Sequence, residues 1–295
     1  MASYYFPSGQ YKAQALPLIP AVAAGVSTIL GMIYAIFISY HPEIYFKLPL
    51  IIIWGFLTIA LSRWTIKKGA MRSPWKAAVL VFVGAFIGYY VHFAFFLAIV
   101  TEGNIVPGVT EHSLGEVLGN FTFEPFRHFL ASPGDLLAGI KEHYVFGVPQ
   151  KEDGSGPGSL YGIIWLVEFI LYVTLPVVFA YRAGGEPYEE DIEEWLEKQK
   201  LATPFVILPD DQKELNSLIS RIAEGDISYF LMTPAHKHLK GSFLGVEIYF
   251  CDGAPDACVT VKHYIKTMKR SSQQTLVEYL MIPEVQAERL MKKLS

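Results

Sequence analysis

Residues 84–93 read GAFIGYYVHF, and the one ionisable member, His92, stands inside an apolar run over 77–101. A second apolar run, 160–181, carries a single ionisable residue of its own, Glu168. Imidazole and carboxylate are the groups that membrane proton and ion relays use, and a charge in hydrocarbon is costly enough that such residues face protein or a wet path. His92 lies nine residues below one end of its run and Glu168 eight residues below the matching end of the other. At the helical rise both are about 12–14 Å below the same surface.

The spacing places the pair on defined faces. Gly84, Gly88 and His92 recur at i, i+4 and i+8, so the imidazole shares a stripe with a GxxxG pair that lets a second helix approach closely. Tyr161, Trp165, Glu168 and Tyr172 form a polar-aromatic stripe on the other run. The expectation is that His92 faces protein with Glu168 as its partner. Such a pair is either a buried hydrogen bond that fixes helix register or a proton or ion relay.

The elements that hold the pair follow from composition. The 295 residues are 52% hydrophobic and 18% charged, with a mean hydropathy of +0.32. That is too apolar for an ordinary soluble domain. A net charge of −4 and a pI near 6.1 give no nucleic-acid footprint. Four apolar runs predict an α-helical membrane bundle of four transmembrane helices, about 16–40, 48–64, 77–101 and 160–182, with Trp54 and Trp64 at the membrane boundary. Residues 1–15 form an N-terminal cytosolic tail. The membrane domain spans 16–182 and includes a loop over 102–158.

Orientation comes from lysine and arginine. Arg63, Lys67, Lys68, Arg72 and Lys76 lie between the second and third runs with no acid among them, whereas the 102–158 loop is acidic. The positive-inside rule makes the first a cytoplasmic basic loop and the second an outer loop, with both termini cytoplasmic. Within the outer loop, Ser132, Pro133 and Asp135 predict a helix start, and Leu136, Leu137, Ile140 and Tyr144 share one side of it. The setting that fits is a bacterial inner (cytoplasmic) membrane.

Residues 183–202 are sharply acidic and read as a linker helix after Gly184, Gly185 and Pro187. Residues 203–295 read as a C-terminal cytosolic α+β domain. It holds a helix over PDDQKELNSLISRIAEGD, a strand at SYFLM, a hairpin of FLGVEIYFC and ACVTVKHYIKTM, and a closing helix over 284–294.

Chemistry outside the membrane pair is sparse. Cys251 and Cys258 have six residues between them and no CxxC companion, so with His236, His238 and His263 they do not make a metal set. No nucleotide-binding glycine pattern, nucleophile elbow or HExxH is present, so no catalytic residue, metal or cofactor is assigned. The sequence reads best as an anchored interaction, assembly or regulatory component. Its partners are the lipid bilayer and a protein partner or second copy, met through the membrane helices or the cytosolic domain. The alternatives are a small transporter or channel using His92 and Glu168, or a membrane enzyme on lipid or quinone. The enzyme reading would draw on Glu124, His112, His128 and His143 of the outer loop.

Overall fold

The computed structural model describes residues 3–40, 44–103, 113–119, 121–146, 166–208, 212–237, 241–266 and 271–295. The chain divides into a helical unit, Gly9–Gly184, and a sheet unit made of Met1–Ser8 and Gly185–Ser295.

The helical unit contains α1 (Ala15–Tyr40), α2 (Ile44–Lys68), α3 (Pro74–Gly103) and α7 (Leu166–Ala183), with three short helices, α4 (Leu114–Gly119), α5 (Phe123–Ala131) and α6 (Pro133–Phe146), between α3 and α7. Among the described residues, four helices are long and apolar enough to cross a membrane. Large side chains such as Ile29, Ile52, Phe56, Phe86 and Leu166 point outward, while polar ones turn in. That is the arrangement lipid favours, because hydrocarbon cannot satisfy a polar group.

α1 and α3 run parallel with a constant offset of 61 residues. A Cβ placed on Gly84 would lie 2.6 Å from Ala23 Cβ, one on Gly88 would overlap Ser27 Cβ, and His92 meets Gly31. The two glycines therefore let these backbones touch.

α2 is longer than the 48–64 expected. Its extra turns include Lys67 and Lys68, whose charges suit the negative end of a helix. α7 is not a uniform α-helix, because Ile170–Thr174 forms a π-helical turn. Pro176 explains it: proline has no N–H for the Tyr172 carbonyl and its ring would collide with that carbonyl, so the preceding turn widens.

The 9–12 segment is no free tail. Gly9 N–H donates to Arg72 O, Arg72 N–H to Gln10 O and Lys12 N–H to Gly69 O, at 2.8–3.0 Å. The basic loop is thereby partly used internally. Arg72 is buried and reaches Gln10 Oε1, Lys76 lies 4.6 Å over the Tyr11 ring, and Lys68 lies 4.8 Å over Trp64. α6 starts at Pro133, and its Leu136 and Ile140 pack into the core that also holds Phe96 and Leu97 of α3. At the start of α4, Ser113 Oγ accepts from Glu116 N–H while Glu116 accepts from Ser113 N–H, a reciprocal cap.

The sheet unit is antiparallel. β7 (Gly241–Phe250), β8 (Asp256–Lys266) and β9 (Ser271–Pro283) form its centre, and the order is β1-β9-β8-β7-β5-β6. β1 (Ser3–Tyr4) pairs with β9, while β4 (Glu197–Lys198) and β5 (Phe205–Ile207) share the free side of β7 and β6 (Ala235–His236) follows β5. Three helices, α8 (Gln212–Ala223), α9 (Ser228–Met232) and α10 (Glu284–Leu294), contribute Leu218, Ile222, Phe230, Leu290 and Leu294 to the core of Val246, Ile248, Val259 and Leu280.

Three expectations change here. Residues 183–202 form no linker helix but a small hairpin of β2 (Tyr188–Glu189) and β3 (Glu194–Trp195), followed by β4. Seven acids in a helix would put like charges at i, i+3 and i+4, which destabilises it. SYFLM is helical, because Asp226 Oδ1 accepts from Ser228 N–H at 2.9 Å and turns the chain into α9. The residues placed in a tail at 1–15 supply β1, and Tyr5 N–H continues the pairing to Tyr279 O at 2.9 Å.

Candidate functional site

His92 and Glu168 are the ionisable pair inside the helical unit, at 0% and 2% exposure. α3 presents His92 to α1, and its Nδ1 lies 2.9 Å from Gly31 O. A carbonyl only accepts, so the proton of a neutral ring sits on Nδ1 and Nε2 faces the cluster as an acceptor. Gly31 is required at this crossing: a Cβ there would stand 2.8 Å from both His92 Cβ and Trp54 Cη2.

Glu168 does not bond to His92 among the described residues. Its Oε1 accepts from Tyr34 Oη at 2.5 Å. Tyr34 stands between the two, with its ring centroid 5.2 Å from that of His92. The expected contact of imidazole and carboxylate is therefore replaced by a phenol that touches both. The physical reason is that Gly31 O takes the ring's one proton at Nδ1, so Nε2 offers a carboxylate only a second acceptor, whereas the phenol donates.

Rings close the cluster. Trp54 stacks on Tyr172 at 3.7 Å and stands edge-on to His92 at 5.5 Å. Tyr89 and Phe93 flank His92 along α3, and Phe169 meets Tyr89. Trp54 thus sits in the interior of the helical unit at 1% exposure, ten residues into α2.

Among the described residues of this unit, Ser27 Oγ, Trp54 Nε1, Thr58 Oγ1, Ser62 Oγ and His92 Nε2 are buried without a hydrogen-bond partner. Each such group costs about 1–3 kcal/mol when nothing satisfies it. Charge-based reading found His92 and Glu168 but missed Tyr34, Trp54 and Gly31. The available signal was a tyrosine three residues beyond a glycine in the middle of a charge-free run.

Among the described residues, the other candidates are not brought to this cluster. Tyr161, Trp165, His112, His238 and the side chain of His143 lie outside the described residues. His128 forms an exposed ion pair with Asp135 at 3.1 Å, and Glu124 lies on the first turn of α5. His263 meets Ser242 Oγ at 2.6 Å. Among the described residues no group of three or more His, Cys, Asp or Glu could hold a metal ion.

On the sheet surface, Glu247 takes Lys198 at 2.7 Å and Lys262 at 2.8 Å. Burial raises its pKa, but the hydrogen bonds from Lys198 and Lys262 outweigh that and hold the carboxyl below its usual range. Burial pushes the Cys258 thiol up to about 12, helped by Asp256 and Glu189, so it stays protonated and unreactive.

No family model, curated protein or solved structure matches the chain.

Proposed function

We propose that this is an integral membrane protein acting as an anchored interaction, assembly or regulatory component through its sheet unit. The four apolar helices cross a bacterial inner membrane, and the basic loop and both termini are cytoplasmic. The observation that carries the reading is the pairing of β1 with β9. Strands cannot pair across a bilayer, so the segments before and after the helical unit lie on one side, as four crossings require. The sheet is then joined to the helices at both ends of the helical unit. That suits a module that presents a surface to a partner, another protein or a second copy.

The test places a photo-crosslinking residue at Phe6 or Met232, each 81% exposed, in the full chain in native membranes. A protein adduct of one discrete mass supports the reading. Lipid adducts alone from both positions overturn it.

A second reading, a proton relay, is favoured by the Tyr34–Glu168 bond beside the His92 ring. Proteoliposomes loaded with a pH-sensitive dye test it. A proton leak that His92→Gln and Glu168→Gln both abolish supports the relay, and no leak from the native chain removes it.

A further inference from the structure

Trp54, Thr58 and Ser62 recur at i, i+4 and i+8 on α2, so they form one inward stripe. The indole N–H and the two hydroxyls all lack a hydrogen-bond partner. This is not how every hydroxyl in the unit behaves. Thr65 Oγ1 donates to Ser62 O at 2.8 Å and Ser39 Oγ to Ala35 O at 2.9 Å, the usual return to the helix's own carbonyls.

The stripe has a fixed neighbour. Trp54 packs on Gly31, whose carbonyl holds His92. One turn below Gly31 on α1 is Ser27, also buried and without a partner, set against Gly88 one turn below His92. α2 runs antiparallel to α1, because Gly69 near its far end meets Ala15 at the start of α1. Thr58 therefore falls at the level of Ser27, and Ser62 one turn lower at the level of Ala23. Four unsatisfied side chains thus make a column that leads up to His92 Nε2.

The geometry points to a file of bound water along this column, with His92 Nε2 as its terminal acceptor. Successive rungs on α2 are about 6 Å apart along the axis. One water making two hydrogen bonds of about 2.8 Å spans nearly that distance. The donor and acceptor sense also agrees. The indole N–H can only donate, Nε2 of the Nδ1–H ring can only accept, and water accepts from one while donating to the other. Buried water ordinarily occupies sites with two to four such polar partners.

The column is closed below by Ile19, Ile66, Met71 and Val81, all fully buried, so it is an internal file and not an open pore. A proton entering the file would add to Nε2 while Nδ1–H stays on Gly31 O. The inference stands apart from both readings above: the file can be present in a pure anchor, and a relay can fail while the file remains.

Water-edited solid-state NMR of the isotope-labelled full chain in lipid bilayers tests it. Magnetisation from water should reach His92 and Thr58 side chains at least about twofold faster than Leu97, a fully buried apolar neighbour in the same unit. Thr58→Val with Ser62→Ala should slow the build-up at His92 while the Nδ1 signal still reports its bond to Gly31. Build-up at His92 no faster than at Leu97 overturns the file, and so does an unchanged rate in the double variant. The first comparison needs only the native chain, so a variant that fails to fold leaves the proposal decidable.

Discussion

Gly88→Ala is the sharpest probe of how the helical unit is held together. The added Cβ would overlap Ser27 Cβ and stand 2.8 Å from Ser27 C and 2.9 Å from Thr28 N. Two of these three neighbours are backbone, so no rotamer change relieves the clash. Ser27 Cβ is as fixed as the backbone and carbon contacts settle near 3.5 Å or more, so clearing that overlap parts α1 and α3 by about 1 Å or more. The His92–Gly31 bond lies one turn away on the same two helices and is 2.9 Å long. Opening by that amount takes it to about 3.9 Å or more, beyond hydrogen-bond reach.

Overpacking of this kind costs about 1–3 kcal/mol, and losing the imidazole bond adds about 1 kcal/mol. Alanine's better helix propensity returns about 1 kcal/mol. The net destabilisation expected is about 2 kcal/mol. Gly25→Ala is the control, because nothing lies within 4 Å of a Cβ there. It should be neutral or stabilising by up to about 1 kcal/mol. Reversible unfolding of both variants in mixed detergent micelles measures the difference, and the ¹⁵N shift of His92 Nδ1 reports the bond. If the two variants agree within about 0.5 kcal/mol, the close crossing of α1 and α3 is not what positions His92.

Three further outcomes are expected. Tyr34→Phe removes the donor to Glu168 Oε1 and should destabilise the unit by about 1.5–3 kcal/mol, with a shifted Glu168 carboxyl band in the infrared; an unmoved band refutes the contact. Asp226 is held down to about 2, first by the Ser228 hydroxyl, then by Ser228 N–H and Arg221. Its stabilisation is therefore complete above the ordinary carboxylate range and lost as pH falls toward 2, so Asp226→Asn should flatten that limb of a melting-temperature profile. Glu193 and Tyr279 both carry positive φ, at 54° and 52°, but only Glu193 is exposed. Glu193→Gly should raise stability by up to about 1 kcal/mol, whereas Tyr279→Gly should lower it by losing the ring contacts to Tyr5 and Tyr249; the reverse order in thermal melts refutes this.

Tyr279 also shows why one strand escaped the sequence. β9 begins with the polar stretch SSQQT and then changes phase: Val277 and Leu280 both enter the core although they are three residues apart. The bulge at Tyr279, whose N–H donates to the buried Thr260 hydroxyl, makes that possible. Strict alternation cannot register such a strand. β7 and β8 were legible because Leu244, Val246 and Ile248 face Val259 and Val261 with no such slip, around a turn that Gly253 closes at positive φ. The acidic 183–202 segment misled for the opposite reason. Its Gly184–Gly185 break and Pro187 suggested a helix start, and the repulsion of its carboxylates counted for more.

The helical unit was legible in its spans because hydrocarbon imposes a length and a polarity that composition alone reveals. Its site was legible only in part, because charge marks Glu168 and His92 while the groups that hold them are neutral. Glu168 is held by a phenol and His92 by a main-chain carbonyl, and neither leaves a mark in a count of ionisable residues. What joins them is the constant offset between α1 and α3. The same displacement that sets Ala23 on Gly84 and Ser27 on Gly88 sets Gly31 on His92, and one turn further up α1 brings Tyr34 to Glu168. The glycines are therefore upstream of the chemistry. They fix how closely and in what register two backbones meet, and that register decides which neutral group each ionisable side chain finds.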